Sequence, residues 1–195
     1  AISKQLTESK VSPETISTKD ITAELFAALK FLSPYVKDTG QVLTERMINN
    51  DSIIFEGAQG TFLDINHGTY PFVTSSSTVA GGICTSTGIP PIYIETVIGV
   101  VKAYSTRVGR GPFPTEMDNK TQEIYRDLGQ EYGATTGRPR RCGYLDLPAI
   151  QYAVRVNGLD GIILTKVDIL DSFNEITICT SYDYDSDTFT EHGIP

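Results

Sequence analysis

The sequence has 195 residues, 39% hydrophobic and 21% charged, with 16 Lys+Arg against 24 Asp+Glu and a net charge of −8. That length suits one ordinary globular core, and 17 glycines and 10 prolines exclude collagen-like or low-complexity chains. The acidic balance excludes a broad nucleic-acid surface, no apolar run has the ~18–20 residues of a membrane-spanning helix, and no apolar signal core opens the chain.

Cys84, Cys142 and Cys179 include no close-spaced pair, and His67 and His192 are the only histidines. This pattern predicts free thiols in a reducing, cytoplasmic setting and no histidine-based metal site. Ala1 in place of Met leaves open that the chain is cut from something longer.

Residues 1–19 read as a flexible segment. Ile21, Leu25, Leu29, Leu32 and Val36 follow the spacing of an amphipathic helix over 20–37, with Asp20 or Thr18 as cap and Ser33-Pro34 as kink or stop. A second helix is predicted over 41–49, and Ser52–Glu56 reads as a buried strand leading into Gly57-Ala-Gln-Gly-Thr61. The small, polar, Gly-rich stretch 74–91 predicts loops, and Thr96–Thr106 a strand. Helices follow over Thr121–Tyr132 and after Asp146, the latter with Pro148 in its first turn and Asn157-Gly158 at its exit. Gly161–Thr165 reads as a buried strand, and Glu175–Thr190 as a hairpin turning at Asp183–Asp187. The alternation predicts an α/β fold with a mostly parallel sheet, flanking helices and a C-terminal β-hairpin.

Charge is uneven along the chain. Residues 102–141 hold eight basic and five acidic residues, a local +3 inside an acidic body, which points to an anion site as readily as to a solvated face. Three motifs offer chemistry. Phe55–Thr61 places glycines and the carboxamide of Gln59 after a predicted strand, where ligands of parallel sheets bind; an ordinary tight turn has the same composition. Gly133-Ala-Thr-Thr-Gly-Arg-Pro-Arg-Arg-Cys-Gly143 brackets two hydroxyls and three arginine forks with glycines, a composition suited to carboxylate or phosphate, and Arg107–Pro112 can belong to the same basin. Leu164-Thr-Lys-Val-Asp168 is a near-match to the guanine-reading N-K-x-D pattern, with Thr for Asn; a capped strand end reads alike.

Together with Asp64-Ile-Asn-His-Gly-Thr-Tyr-Pro-Phe-Val-Thr-Ser-Ser76 and Lys102-Ala-Tyr-Ser-Thr-Arg-Val-Gly-Arg-Gly-Pro-Phe-Pro-Thr-Glu116, these motifs resemble adenylosuccinate synthetase in order and wording from about residue 52 to 182. The resemblance implies a P-loop-NTPase-like fold of which this chain is the central part, with 1–51 a helical region and 52–195 the sheet and substrate loops. It implies GTP-dependent ligation of IMP and L-aspartate, with Mg²⁺, in a homodimer. It assigns Gln59 to the 6-oxygen of IMP, Thr74 to the IMP phosphate, and Val108 and Gly109 to the ribose. Ala134–Arg140 corresponds to the mobile loop that closes on aspartate. In it Ala134, Thr135, Thr136 and Gly137 meet aspartate, Arg138 bridges aspartate and IMP, and Arg140 reaches aspartate and GTP. Lys166, Val167 and Asp168 correspond to the guanine site. His67 reads as a structural histidine, His192 as exposed, and Cys84 and Cys142 as packing thiols.

The sequence departs from the family in lacking the Gly-Asp-Glu-Gly-Lys-Gly-Lys phosphate loop, whose aspartate is the base and binds Mg²⁺, and the catalytic histidine after it. Pro139 replaces a residue that is usually basic. No residue of this segment is therefore assigned to catalysis or metal, and no turnover is expected from it alone. Two alternatives stay open: a non-catalytic purine-nucleotide-binding or regulatory module, and a metal-free ligase or transferase acting on another carboxylate.

Overall fold

The computed structural model describes residues 17–133, 137–184 and 187–189. It comprises two compact units, Ala1–Ile53 and Ile54–Pro195.

In the first unit, α1 (Thr18–Leu32) begins at Ser17, whose hydroxyl accepts the Asp20 amide at 3.2 Å. The cap is thus one residue before Thr18. Residues 1–16 of the predicted flexible segment lie outside the described residues, while Thr18 and Lys19 belong to α1. Ser33–Tyr35 tightens into a 3₁₀ turn with Pro34 in it, ending the helix as expected. A second helix, α2 (Thr39–Ile48), is capped by the Asp38 carboxylate, which accepts the Gln41 amide.

The second unit contains the remaining elements. Ser52–Glu56, expected as a buried strand, forms no ladder with the described residues, and Ile54 is 93% exposed. Apolar composition signals a strand only where another strand supplies hydrogen-bond partners. Within the predicted loop region, Gly81–Thr87 forms a short helix, α3, closed by Gly88 at φ 77°. Hydroxyls of Thr85, Ser86 and Thr87 donate back to carbonyls of Gly82 and Ile83, contacts that satisfy the side chains but compete with the helix, in keeping with its short length.

The predicted Thr96–Thr106 strand is two strands, β1 (Ile98–Lys102) and β2 (Ser105–Arg107). Between them Ala103 and Tyr104 turn into the core. Helix α4 (Asn119–Gly129), capped by Asp118, starts earlier and ends earlier than the periodicity suggested. Next come β3 (Arg141–Gly143), β4 (Leu145–Asp146) and α5 (Leu147–Asn157), the last with its Asp146 cap, Pro148 in the first turn and Gly158 at φ 63° as expected. β5 (Gly161–Thr165) follows.

Pairing is local. β1 and β5 are parallel, Ile98 opposite Gly161 through Lys102 opposite Thr165. β2 and β3 are antiparallel, and β4 runs parallel to β6 (Ile178–Cys179). The tail hairpin is confined to β7 (Tyr182–Tyr184) and β8 (Asp187–Phe189), because Ile178–Cys179 pairs with β4 instead. The expected β5 strand forms but is not buried: Ile162, Ile163 and Leu164 are 45%, 55% and 48% exposed. Among the described residues this ribbon has no third strand to flank it as in a buried parallel sheet.

The core sits instead where β2, β3 and α4 meet the 3₁₀ turn Val167–Ser172. Tyr104 meets Tyr125 edge-on at 5.1 Å between centroids, and Tyr125 stacks on Phe173 at 4.7 Å. A second anchor is Asn157, whose amide oxygen accepts the Ala80 N–H at 2.8 Å while its NH₂ donates to the Thr61 hydroxyl at 3.0 Å and the Ala153 carbonyl at 2.8 Å. The helix exit read from Asn157-Gly158 thereby also ties α5 to both loops of the candidate site.

Candidate functional site

The loop after residue 56 is shaped at Gln59, not at its glycines: Gln59 adopts φ 63°, and a Cβ added at Gly57 or Gly60 would meet nothing within 4 Å. A left-handed glutamine is strained by about 1 kcal/mol, and Gln59 is exposed.

Behind this loop stands Asp64, fully buried. One carboxylate oxygen accepts the amides of Asn66 (2.8 Å) and His67 (3.0 Å); the other accepts the Ser77 hydroxyl (3.0 Å) and the amides of Thr78 (2.6 Å) and Val79 (3.1 Å). Burial opposes the charge, but the backbone N–H groups of Asn66, Thr78, Val79 and His67 outweigh it and hold the carboxyl well below the usual range. His67 takes part through its backbone, donating its N–H to Asp64 and accepting the Tyr152 hydroxyl on its carbonyl at 2.9 Å, and its side chain is exposed. Its structural reading therefore accords with its contacts.

Asp64 closes the loop that presents Thr74, whose N–H donates to the Leu63 carbonyl at 2.8 Å. From the other side, Arg107 donates Nε to the Arg110 carbonyl at 3.1 Å and one terminal nitrogen to the Thr69 hydroxyl and Phe72 carbonyl, each at 3.1 Å. Burial, then the Arg141 charge, lowers its pKa from the ordinary value. Arg141 donates Nε to Glu116 at 2.8 Å, pairs a second nitrogen with the same carboxylate, and reaches the carbonyls of Gly109 (3.2 Å) and Gly111 (2.9 Å). This pairing pulls Glu116 down and pushes Arg141 up. Gly109 itself is at φ 79°.

The result is an open cleft of about 330 Å³ lined by Gln59, Leu63, Phe72, Val73, Thr74, Arg107, Val108 and Arg110. Three residues singled out in separate motifs, Gln59, Thr74 and Val108, therefore share one wall, with Gly109 adjacent. Arg110 is exposed and adds a cation to it.

The arginine loop lies on a different frame. Gly133 N–H donates to the Arg138 carbonyl and Gly137 N–H to the Gly133 carbonyl, both at 2.8 Å, and Tyr132 pairs with Pro139. The loop's base is thus pinned and Gly137 takes φ 62°. Ala134, Thr135 and Thr136 lie outside the described residues. Arg138 is exposed. Arg140 donates one terminal nitrogen to Glu131 at 2.8 Å, and Glu131 also accepts Lys102 Nζ at 2.8 and 2.9 Å and the Tyr104 hydroxyl at 2.7 Å. Burial would raise the Glu131 pKa, but Lys102, Tyr104 and Arg140 hold it down; burial and the Glu131 bond push Tyr104 up.

Lys166 occupies φ 59° at the end of β5 and donates Nζ to the Gly129 carbonyl at 3.0 Å, which sets it beside the end of α4. Val167 and Asp168 begin the 3₁₀ turn and are exposed. These three do not line the cleft. Cys142 is fully buried, and burial raises its thiol pKa, as suits a packing residue. His192 lies outside the described residues.

Sequence reasoning missed Asp64, Glu131 and the Arg141–Glu116 clamp. Only Asp64 carried a local signal, since Asp-x-Asn-His-Gly is the composition of a turn closed by a carboxylate. Among the described residues no group of three or more His, Cys, Asp or Glu could hold a metal ion. No described helix is long and apolar enough to cross a membrane.

Comparison with known proteins bears on this arrangement. The family model for adenylosuccinate synthetase matches residues 1–195. The adenylosuccinate synthetase of Halothermothrix orenii is 52% identical over 179 residues, covering 92% of this chain and 42% of that protein. That of Trichlorobacter lovleyi is 56% identical over 156 residues, covering 80% and 36%. A fully ligated adenylosuccinate synthetase from Plasmodium falciparum superposes with a TM-score of 0.86 at 39% identity, covering 93% of this chain and 43% of that one. The α/β architecture is shared with it. The chain spans about two-fifths of the length of these relatives.

Proposed function

Because the chain belongs to the adenylosuccinate synthetase family, we propose that it supplies the IMP-contacting wall and the aspartate loop of a GTP-dependent carbon–nitrogen ligase. The reaction proceeds in two steps: the γ-phosphoryl of GTP passes to the 6-oxygen of IMP, leaving GDP, and the amine of L-aspartate then displaces phosphate at C6 to give adenylosuccinate. The observation that carries this reading is the common cleft of Gln59, Thr74 and Val108.

Gln59 donates its carboxamide N–H to the 6-oxygen, where negative charge develops in the first step, from a backbone held at φ 63°. Thr74 takes the IMP phosphate. The backbone of Val108 and Gly109 takes the ribose. Arg138 and Arg140, with Ala134, Thr135, Thr136 and Gly137, hold the two carboxylates of aspartate, and Arg140 also reaches GTP. Lys166, Val167 and Asp168 take guanine, the exposed Asp168 carboxylate accepting from its N–H groups. Mg²⁺, dimerisation and a cytoplasmic setting belong to the same proposal, and no residue of this chain is assigned to the metal.

Titration of the 195-residue chain with IMP, followed by calorimetry, tests the reading. IMP is expected to bind more tightly than inosine, and Gln59→Ala to weaken IMP about tenfold, the worth of one buried polar contact. Equal affinity for IMP and inosine, or no binding of either, refutes it. No adenylosuccinate is expected from GTP, IMP and aspartate with this chain alone, and its appearance would overturn the assignment of the acid–base residues to the missing motif. Tight IMP or GTP binding by a natural protein that carries no phosphate loop would favour the non-catalytic module.

A further inference from the structure

Resting on the reading that Arg140 meets the substrate's carboxylate, we propose that Glu131 is a positioning residue that fixes the Arg140 guanidinium for that contact. Glu131 is 1% exposed, the most buried acidic residue outside the Asp64 loop among the described residues. It follows Gln130, which ends α4 at φ 53° and turns the chain so that the carboxylate points back beneath the arginine loop. One of its oxygens accepts Lys102 Nζ and the Tyr104 hydroxyl; the other accepts Lys102 Nζ and the Arg140 terminal nitrogen. Those four contacts use the acceptor capacity of a carboxylate, so Glu131 has no lone pair left to act as a general base.

What it does instead is hold Arg140 at several points. The Arg140 N–H donates to the Glu131 carbonyl at 2.9 Å, the Arg140 carbonyl accepts Arg126 Nε at 2.8 Å, and the side chain is tethered through one terminal nitrogen. The Arg140 Nε is buried and has no hydrogen-bond partner among the described residues. Two cations, Lys102 and Arg140, share one carboxylate, so the cluster retains one positive charge beside the loop. A guanidinium already ordered loses less freedom when it grips an anion, and that difference appears as affinity. A purely structural ion pair would stabilise the fold without affecting one ligand more than another.

The test uses the 195-residue chain with ¹⁵N-labelled arginine. The Arg140 Nε–H signal is expected to exchange slowly with solvent in the unaltered chain. In Glu131→Gln it should exchange at least about tenfold faster and move toward the free-arginine position, while Arg138 stays unchanged. Glu131→Asp, which keeps the charge but withdraws it, should fall between and covers the case in which the amide variant unfolds. An unchanged Arg140 signal in both variants overturns the proposal. L-aspartate titration in the presence of IMP supplies the second arm. Glu131→Gln should weaken aspartate about tenfold and IMP less than twofold, and the Glu131→Gln/Arg140→Ala double variant should bind aspartate no more weakly than Arg140→Ala alone. Additive losses, or equal weakening of both ligands, overturn it. If the unaltered chain binds no aspartate, the functional reading fails, and the arginine signals still decide whether Glu131 holds Arg140.

Discussion

Replacing Asp64 with alanine is expected to destabilise the Ile54–Pro195 unit by about 3–5 kcal/mol, because it strands several buried donors at once. Four backbone amides and the Ser77 hydroxyl converge on this carboxylate. Thermal unfolding should show it as a fall in Tm of roughly 6–20 °C for a domain of this size. Asp64→Asn should cost less, since the amide retains one acceptor, but its NH₂ then faces N–H donors. The acid limb gives an independent signature. The folded carboxyl titrates below its unfolded value, so the unfolded chain binds the proton first as pH falls. Stability is therefore fully present above the ordinary carboxylate value of about 4 and is lost progressively below it. Urea unfolding of the unaltered chain should steepen in its pH dependence below about pH 4, and Asp64→Asn should flatten that limb. An unchanged slope would show that the carboxylate is not held as a charge.

The second large effect is expected at Gly68→Ala. A Cβ there would lie 2.5 Å from the Asp64 carbonyl oxygen, 2.8 Å from the Phe62 carbonyl carbon, and closer still to the Phe62 carbonyl oxygen. All three are backbone atoms, which cannot swing aside as a side-chain tip can. The loop must shift, at a cost on the order of 3 kcal/mol. The Gly68 N–H donates to the Asp64 carbonyl at 2.9 Å, Thr69 N–H to the Phe62 carbonyl at 3.0 Å, and Thr74 N–H to the Leu63 carbonyl at 2.8 Å, so the shift carries the cleft wall with it. Gly68→Ala should lose IMP binding even at temperatures where the chain remains folded, a result read by calorimetry beside circular dichroism. Since Asp64 and Gly68 brace the same loop, the double variant should cost less than the sum of the two.

Capping and turn chemistry were legible in the sequence because they are settled within a few residues. The Asp146 cap, Pro148 and Gly158 mark α5 where they were expected. Thr18 and Asp20 were named for α1 where Ser17 caps it, errors of one and three residues at a helix end. Burial was not legible. Ser52–Glu56 and Gly161–Thr165 have the same apolar wording, yet only the second has a partner strand and neither is buried throughout. What covers a strand is decided by segments far away, and an apolar run carries no record of them. The candidate site divides in the same way. Gln59, Thr74 and Val108 stood out through the wording of their motifs. Glu131 did not, because its partners Lys102 and Tyr104 lie 29 and 27 residues back and nothing local announces the pairing.

The basic stretch that stood out against an acidic chain spends much of its charge internally. Lys102 and Arg140 face Glu131, whose side chain is 2% exposed, and Arg141 faces Glu116. Mobile ions do not reach the Glu131 carboxylate and reach the half-exposed Arg141–Glu116 pair only in part, whereas Arg110 at the cleft mouth is exposed and its field runs through solvent. Ionic strength therefore acts on the two populations differently. Raising salt from about 0.1 M to 1 M shortens the Debye length from about 10 Å to about 3 Å. That change screens the capture of an anion approaching Arg110 and leaves the Glu131 cluster, and the melting temperature it supports, almost where they were. Salt titration separates the charges that recognise a ligand from the charges that hold the scaffold, without altering a residue.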